Sequence, residues 1–444
     1  MTNVNNFLNS YKEILYLIFL SFIFALTVQS FELFKGNANY LIYAIKEFDD
    51  NKLQYDWIAN QAHHLPLFTY FNNLLIKIFS KNVIYVVHYI LLGMTSFFLF
   101  LISKNLYPEI KKKNLKVIWF SFFIFLFHEK SFFSGVAGQT SIDAGYQPAS
   151  FAILFFISIY FFIIEKNFLS VVFVCLSASF HPTYVLHSGF LILGILGSYF
   201  ILKKYRNCLK IFLVYFILIL PITLYIIFNF LMIDENLSLL GKKILLDRIP
   251  HHANINSWAT YKDIFFLCLY FYSLFLIKNN RRFFIFFSIF GFFPILLSFF
   301  QYFINIDSLA LSFPWRSSVF IAPISSIIIL SYFLKKIQLE KLKLRILSFL
   351  LIISVSSFFF IKSHYIKDLN KEFKYKLVLT NEIKKNFDLI DRILTPTDLD
   401  YIRMNSGLPV FINWKHHAFR YDQLIEWRKR VDLADNFYQS KSLP

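Results

Sequence analysis

Residues 82–116 read NVIYVVHYILLGMTSFFLFLIS followed by KNLYPEIKKKNLK. The first part carries no Asp, Glu, Lys or Arg over 22 residues, and a helix of about 20 apolar residues crosses a bilayer core. The second part is a short connector with five lysines and one glutamate. This alternation of an uncharged run and a charged connector recurs along the chain and decides the fold class.

Working outward from it, comparable runs occur at 12–31, 116–133, 148–164, 168–186, 187–202, 210–231, 262–278, 283–304, 316–334 and 345–362. Together with 82–103 they predict about 11 transmembrane helices. Hydrophobic residues make up 57% of the 444 and charged residues 16%, so the expected architecture is a mainly α, polytopic helical membrane protein. One membrane domain is expected over residues 1–362, with a small α/β C-terminal cap over 363–444. The first run follows a single lysine, Lys12, and lacks a small-residue cleavage site, so it reads as a retained helix. Within 168–202, His181-Pro182 and Ser188-Gly189 each permit either a tight turn between two short helices or an interruption of one.

The net charge of +18 is not the footprint of a nucleic-acid binder. It collects in connectors 104–116, 165–167, 203–210, 278–282 and 335–345, which hold 18 Lys or Arg against three Glu. By the positive-inside rule these face the cytoplasm. The connectors 32–81, 134–147, 232–261 and 305–315 are nearly balanced and belong on the other side. Eleven crossings from a cytoplasmic N-terminus then place the C-terminus outside. The large first outer loop, 32–81, should carry a short helix at about 39–48 and an interfacial helix at 66–81.

Chemistry-bearing residues gather on that outer side. Residues 46–66, KEFDDNKLQYDWIANQAHHLP, supply Asp49, Asp50 and Asp56 as candidate catalytic carboxylates. Asp56 ranks first, since Trp57 beside it can anchor the loop at the interface and a partly desolvated carboxylate can take a proton from a hydroxyl. Arg248 and Arg316 suit bidentate capture of a phosphate, and Arg403 and Lys415 suit the ordering of an acceptor. All 11 histidines avoid the basic connectors. Of these, His63, His64, His181, His251 and His252 are candidate substrate-binding residues.

Adjacent histidines point apart on either a helix or a strand, so the HisHis pairs predict no metal site. The three cysteines, Cys175, Cys208 and Cys268, have no paired spacing. No phosphate loop, dinucleotide fingerprint, HExxH or GxSxG motif is present, and no cofactor is expected.

With the first helix, the acidic outer loop with surface helices, the many further spans and the outer C-terminal region in place, the chain resembles the membrane-embedded glycosyltransferases of the C fold. More narrowly, DWIANQAHHLP, QPASFA (147–152), His181-Pro182, RIPHHANINSW (248–258), TPTDLDYIR, VFINWK and EWRKR resemble a set of uncharacterised bacterial multi-pass membrane proteins. The C-fold resemblance implies inverting transfer of a sugar from a polyprenyl-phosphate donor to a glycan, lipid or protein acceptor at the non-cytoplasmic face of a bacterial plasma membrane. It also implies that an aspartate of the first outer loop, here Asp49, Asp50 or Asp56, activates the acceptor. A cell-surface polysaccharide polymerase or ligase would use the same arginines without an acidic base. Transport is disfavoured because the mid-span segments are nearly free of charge, and a non-enzymatic role stays open.

Overall fold

The computed structural model describes residues 2–30, 38–48, 53–111, 113–128, 132–336, 344–388 and 391–440. Among them there are helices and turns but no strand, only two isolated bridges. Six helical stretches are long and apolar enough to cross a membrane: Tyr11–Val28, Val83–Leu106, Tyr184–Ile201, Tyr205–Leu231, Arg281–Ile304 and Asp307–Lys336. Four shorter apolar helices lie at Leu115–Phe127, Pro148–Ile163, Asn167–Phe180 and Asp263–Ile277. This is the architecture of a multi-pass membrane protein.

Helix α1 (Thr2–Val28) leads through the short α2 (Ile42–Phe48) to α3 (Pro66–Phe79). Pro66 at the first position of α3 gives up an N–H that a helix start cannot use anyway. The helix turns Phe68, Asn72 and Ile76 inward at helical spacing and leaves Tyr70, Ile78 and Phe79 exposed, which is the amphipathic pattern read at 66–81.

Next, α4 (Val83–Leu106) packs along α1. Tyr89 Oη donates to the Phe22 carbonyl at 3.1 Å and Ser96 Oγ to the Ser21 carbonyl at 3.2 Å. In a lipid solvent such side-chain bonds and small residues do the work that hydrophobic burial does in water.

Helices α5 (Lys113–His128), α6 (Ile153–Ile163), α7 (Asn167–Phe180) and α8 (Tyr184–Ile201) continue the bundle. Of the two breaks read in 168–202, only His181-Pro182 is used. The chain turns between Phe180 and Tyr184, with the Tyr184 N–H bonded to the His181 carbonyl at 2.7 Å, whereas Ser188 and Gly189 lie inside α8. Proline lacks the N–H that an uninterrupted helix would need there, while Ser188 satisfies its hydroxyl on the Val185 carbonyl at 2.6 Å. Helix α9 (Tyr205–Ile226) follows, then α10 (Glu235–Arg248), capped by the Asp234 carboxylate.

The one-turn helices α11 (Pro250–Ala253) and α12 (Ile255–Trp258) lead into α13 (Tyr261–Ile277) and α14 (Arg281–Ile304). Against α14, α8 approaches so closely that a Cβ on Gly194 would stand 2.7 Å from the Phe286 carbonyl oxygen. After α15 (Asp307–Leu311), the tight turn Pro314–Ser317 starts α16 (Ser318–Lys336), whose side chains are buried almost throughout.

Helix α17 (Leu344–Asn386) has 43 residues, about 65 Å at 1.5 Å per residue, roughly twice a bilayer core. Its apolar first half packs on α5 and leaves Phe349 and Ile352 exposed, and its charged second half carries the chain to α18 (Tyr401–Ser406) and α19 (Tyr421–Gln439). Of the β part of the α/β cap expected over 363–444, the described residues show one parallel bridge, Ile393 to Val410. Pro409 has no N–H to extend a ladder, and both backbone groups of Val410 are taken by side chains, its N–H by Asp56 and its carbonyl by Arg403. Trp427 of α19 is fully buried and donates to the Asn413 carbonyl at 3.0 Å, fixing the segment against its own last helix.

Candidate functional site

Asp56 has no exposed surface. Its Oδ1 accepts from the Ala59 N–H at 3.0 Å, and its Oδ2 accepts from Arg403 Nε at 2.7 Å and the Val410 N–H at 3.0 Å. Arg403, equally buried, also donates to Asn413 Oδ1 at 2.7 Å, His416 Nδ1 at 2.6 Å and the Val410 carbonyl at 2.9 Å. Since a guanidinium only donates, His416 accepts on Nδ1 and is neutral.

These contacts make Asp56 an anchor between the first long connector and the C-terminal segment, contrary to the general-base role read from its sequence setting. An acceptor hydroxyl has no surface by which to approach it. Arg403 is likewise committed and cannot order an acceptor. Lys415 sits at the surface 3.6 Å from Asp400, an exposed pair distinct from a binding cation. Trp57 lies under the Arg430 guanidinium at 4.6 Å, held by α19 instead of anchoring in lipid. Asp49 and Asp50 lie outside the described residues.

The remaining named residues fall around Arg316, which the turn Pro314–Ser317 presents. Phe313 before that turn has φ 49° and ψ 54°, a left-handed conformation that costs a bulky residue about 1–2 kcal/mol and that aims the following residues. Arg316 stacks on the Phe313 ring at 5.1 Å and donates to Thr183 Oγ1 at 2.9 Å. Thr183 Oγ1 lies 3.0 Å from His181 Nδ1. Thr183 thus bridges the guanidinium and the imidazole through one hydroxyl.

The neighbouring Ser317 Oγ meets His187 Nδ1 at 2.7 Å. Arg316 Nε, His187 Nε2, His64 Nδ1 and Trp258 Nε1 are buried without a hydrogen-bond partner. Among the described residues no carboxylate pairs with Arg316 or Arg248.

Two more parts of the chain close on this centre. His252 lies within the electrostatic reach of both Arg316 and Arg248 and takes the Gln139 amide on Nδ1 at 2.6 Å. Gln139 is placed by a hairpin-like loop pinned to α16: the Val136 N–H donates to Ser318 Oγ at 2.9 Å, and a Cβ on Gly135 would stand 2.3 Å from that oxygen. Arg248 donates from Nε to the Trp414 carbonyl at 3.1 Å and stacks on the Trp414 ring at 4.9 Å. His64 stacks at 3.3 Å on Phe419, which in turn meets His417.

His251 is exposed, its ring 4.1 Å from that of His252. The His63 carbonyl accepts from Tyr225 Oη at 2.7 Å. The structure therefore links Arg248, His252, Arg316, His64 and His181, while Asp56 and Arg403 are committed to each other and Lys415 faces Asp400. Thr183, Gln139, His187, Trp258 and Trp414 join the centre without having been singled out. Thr183 and Trp258 lay within or beside quoted motifs, but Gln139 carried no signal of its own.

Removal from water is the main cause that holds His64 and His181 well below the usual 6.5; a neighbouring His417 adds to it for His64 and Arg316 for His181. Burial, then His251 and Arg316, lowers His252 to about 4, and burial lowers His417 to about 4. His416 is held well below 6.5 by burial and then by Arg403. The site thus presents guanidinium charge among neutral rings.

A family model described as "Domain of unknown function (DUF6798)" matches residues 378–434, which span the end of α17, α18, the loop that binds Asp56 and most of α19. No curated protein and no solved structure matches the chain.

Two outcomes follow from this geometry. Asp56→Ala strands a buried guanidinium and should cost about 3–5 kcal/mol, read as a lower thermal midpoint and faster proteolysis of the C-terminal segment. The double substitution Asp56→Leu/Arg403→Met should recover much of that loss, and a double variant no better than the single one would remove the anchor role. The five buried histidines are neutral when folded and titrate near 6.5 when unfolded. The unfolded chain therefore binds more protons below that pH, and stability falls as pH drops through 6.5 while staying level above it. Thermal unfolding at about pH 5.5 should come earlier than at about pH 7.5, and identical midpoints would contradict the neutral assignments.

Proposed function

We propose that this chain is an integral-membrane glycosyltransferase that moves a sugar from a polyprenyl-phosphate donor to an acceptor at the non-cytoplasmic face. The observation that carries the reading is Arg316, whose Nε is buried without a partner and whose charge meets no carboxylate among the described residues. A cation kept from water without a counter-charge is costly, and an incoming anion relieves that cost. The protein's membrane-spanning helices make a lipid phosphate the anion with the most direct access, arriving laterally through the leaflet. Arg248, partly buried and stacked on Trp414, supplies the second guanidinium.

In the reaction the acceptor oxygen bonds to the anomeric carbon and gives up its proton to a base, Asp49 or Asp50 in this reading, while the bond from that carbon to the phosphate oxygen breaks with its electron pair going to the phosphate. Arg316 and Arg248 stabilise the charge that develops there. The neutral histidines bring hydrogen bonds without competing positive charge.

The eleven-crossing, C-fold-like arrangement with both the first long connector and the C-terminal segment outside belongs to this reading. Asp49 and Asp50 are its remaining candidate bases. One observation favours a second reading, a cell-surface polysaccharide polymerase or ligase: the described centre consists of arginine, histidine and aromatic groups, with Asp56 withdrawn into its own ion pair. The two readings differ in whether Asp49 and Asp50 are needed.

Titration of the full chain in detergent with farnesyl phosphate, a short polyprenyl monophosphate, tests the anion site. Arg316→Gln should weaken binding by at least tenfold, the equivalent of about 1.4 kcal/mol for a charge-assisted contact, and unchanged binding would overturn the reading. For the side of the membrane, single cysteines are introduced at Asn254, Asn405 and Asn279 in a chain whose three native cysteines are replaced. The first two should react with an impermeant maleimide in intact cells and the third only after permeabilisation. A cytoplasmic Asn254 would place the arginines on the wrong face.

A further inference from the structure

We infer that Trp258, backed by Trp315, forms the platform for a hexopyranose ring beside the Arg316 phosphate site, an inference that rests on the proposed lipid-phosphate reading. Trp258 ends α12 and is partly covered, and its ring lies 5.3 Å from that of Trp315 at 45°. Trp315 is 4% exposed and sits edge-on to Phe313 at 6.1 Å and 80°. Arg316, next in the chain, stacks on the other aromatic of the same turn. The supporting Trp315 and Arg316 are therefore carried by one five-residue stretch, Phe313–Ser317, whose first residue is held in the left-handed region. Backbone strain at a position that aims two functional side chains is the kind of outlier that marks a ligand site.

The second observation is the indole N–H. Trp258 Nε1 is buried and has no acceptor, although a buried tryptophan normally finds one. A pyranose offers both features that this arrangement lacks: an apolar face of C–H groups for the ring to cover and a hydroxyl oxygen for the N–H. Apolar walls with a few placed polar groups are the usual make-up of a site that orients a small ligand. His252, between Arg316 and Arg248 electrostatically and only six residues before Trp258, places a neutral ring on the same short segment. A sugar esterified to a phosphate held by Arg316 lies next to the residue, Trp315, on which Trp258 packs.

The experiment compares two probes on the full chain in detergent: farnesyl phosphate, and farnesyl phosphate esterified at the anomeric position with glucose, galactose or N-acetylglucosamine. The wild-type chain should bind at least one sugar-bearing probe about tenfold more tightly than the bare phosphate, an increment of about 1.4 kcal/mol. Trp258→Ala should abolish that increment, so that the sugar-bearing and bare probes bind this variant equally. Trp258→Phe, which keeps a ring but loses the N–H, should retain part of it and serves as the check if the alanine variant does not fold. Retention of the full increment in both variants, or no increment for any of the three sugars in the wild type, would overturn the platform. Equal binding of farnesyl phosphate to wild type and Arg316→Gln would instead overturn the phosphate site itself, so the two failures are distinguishable.

Discussion

A carboxylate and a guanidinium 347 residues apart in sequence, Asp56 and Arg403, meet at 2.7 Å with no surface left to water. The desolvation of such a pair is offset only when its remaining donors and acceptors find partners, and here the backbone of Ala59 and Val410, Asn413 and His416 supply them, so that every nitrogen of the guanidinium and both carboxylate oxygens are bonded. The pair fixes geometry more than it adds stability. Through it the first long connector and the C-terminal segment become one body, which brings Phe419 to His64 and Trp414 to Arg248. That clamp acts together with the packing of α19 on α10 and of Trp414 on Trp427.

The two buried arginines differ in what faces them, and the difference separates scaffold from site. Arg403 has a full set of partners and a counter-ion. Arg316 has Thr183, the face of Phe313 and an orphaned Nε. The same residue type is structural where it is fully buried and paired, and poised for a ligand where it is partly buried with an open Nε. The neutral histidines serve both ends: His416 accepts from the scaffold arginine, while His181 is tied to the ligand-facing one through Thr183. Lower pH would charge both sets, so fold stability and the electrostatics of the site are coupled.

Periodicity and hydropathy report what a segment does with its own neighbours, and this made the helices legible. The runs at 82–103, 283–304 and 316–334 are the helices Val83–Leu106, Arg281–Ile304 and Ser318–Lys336, and the proline after His181 is where the chain turns. The HisHis and Arg-containing motifs were also legible as a group, since Arg248, His252, Arg316, His64 and His181 do assemble. Roles were not. Asp56 in DWIANQ reads as a partly desolvated candidate base until Arg403 is seen beside it, and the β part of the expected C-terminal cap is limited where Asp56 and Arg403 take both backbone groups of Val410.

What the amino-acid sequence determined by itself is therefore the helical, membrane-spanning architecture, because crossing a bilayer constrains each segment independently of the others. It also marked out the polar residues that a mainly apolar chain keeps for a purpose. The tertiary structure decided which of those residues are paired and which are left open. Pairing depends on contacts between groups hundreds of residues apart, and neither hydropathy nor local spacing encodes the three-dimensional distance that makes an ion pair of Asp56 and leaves Arg316 without one.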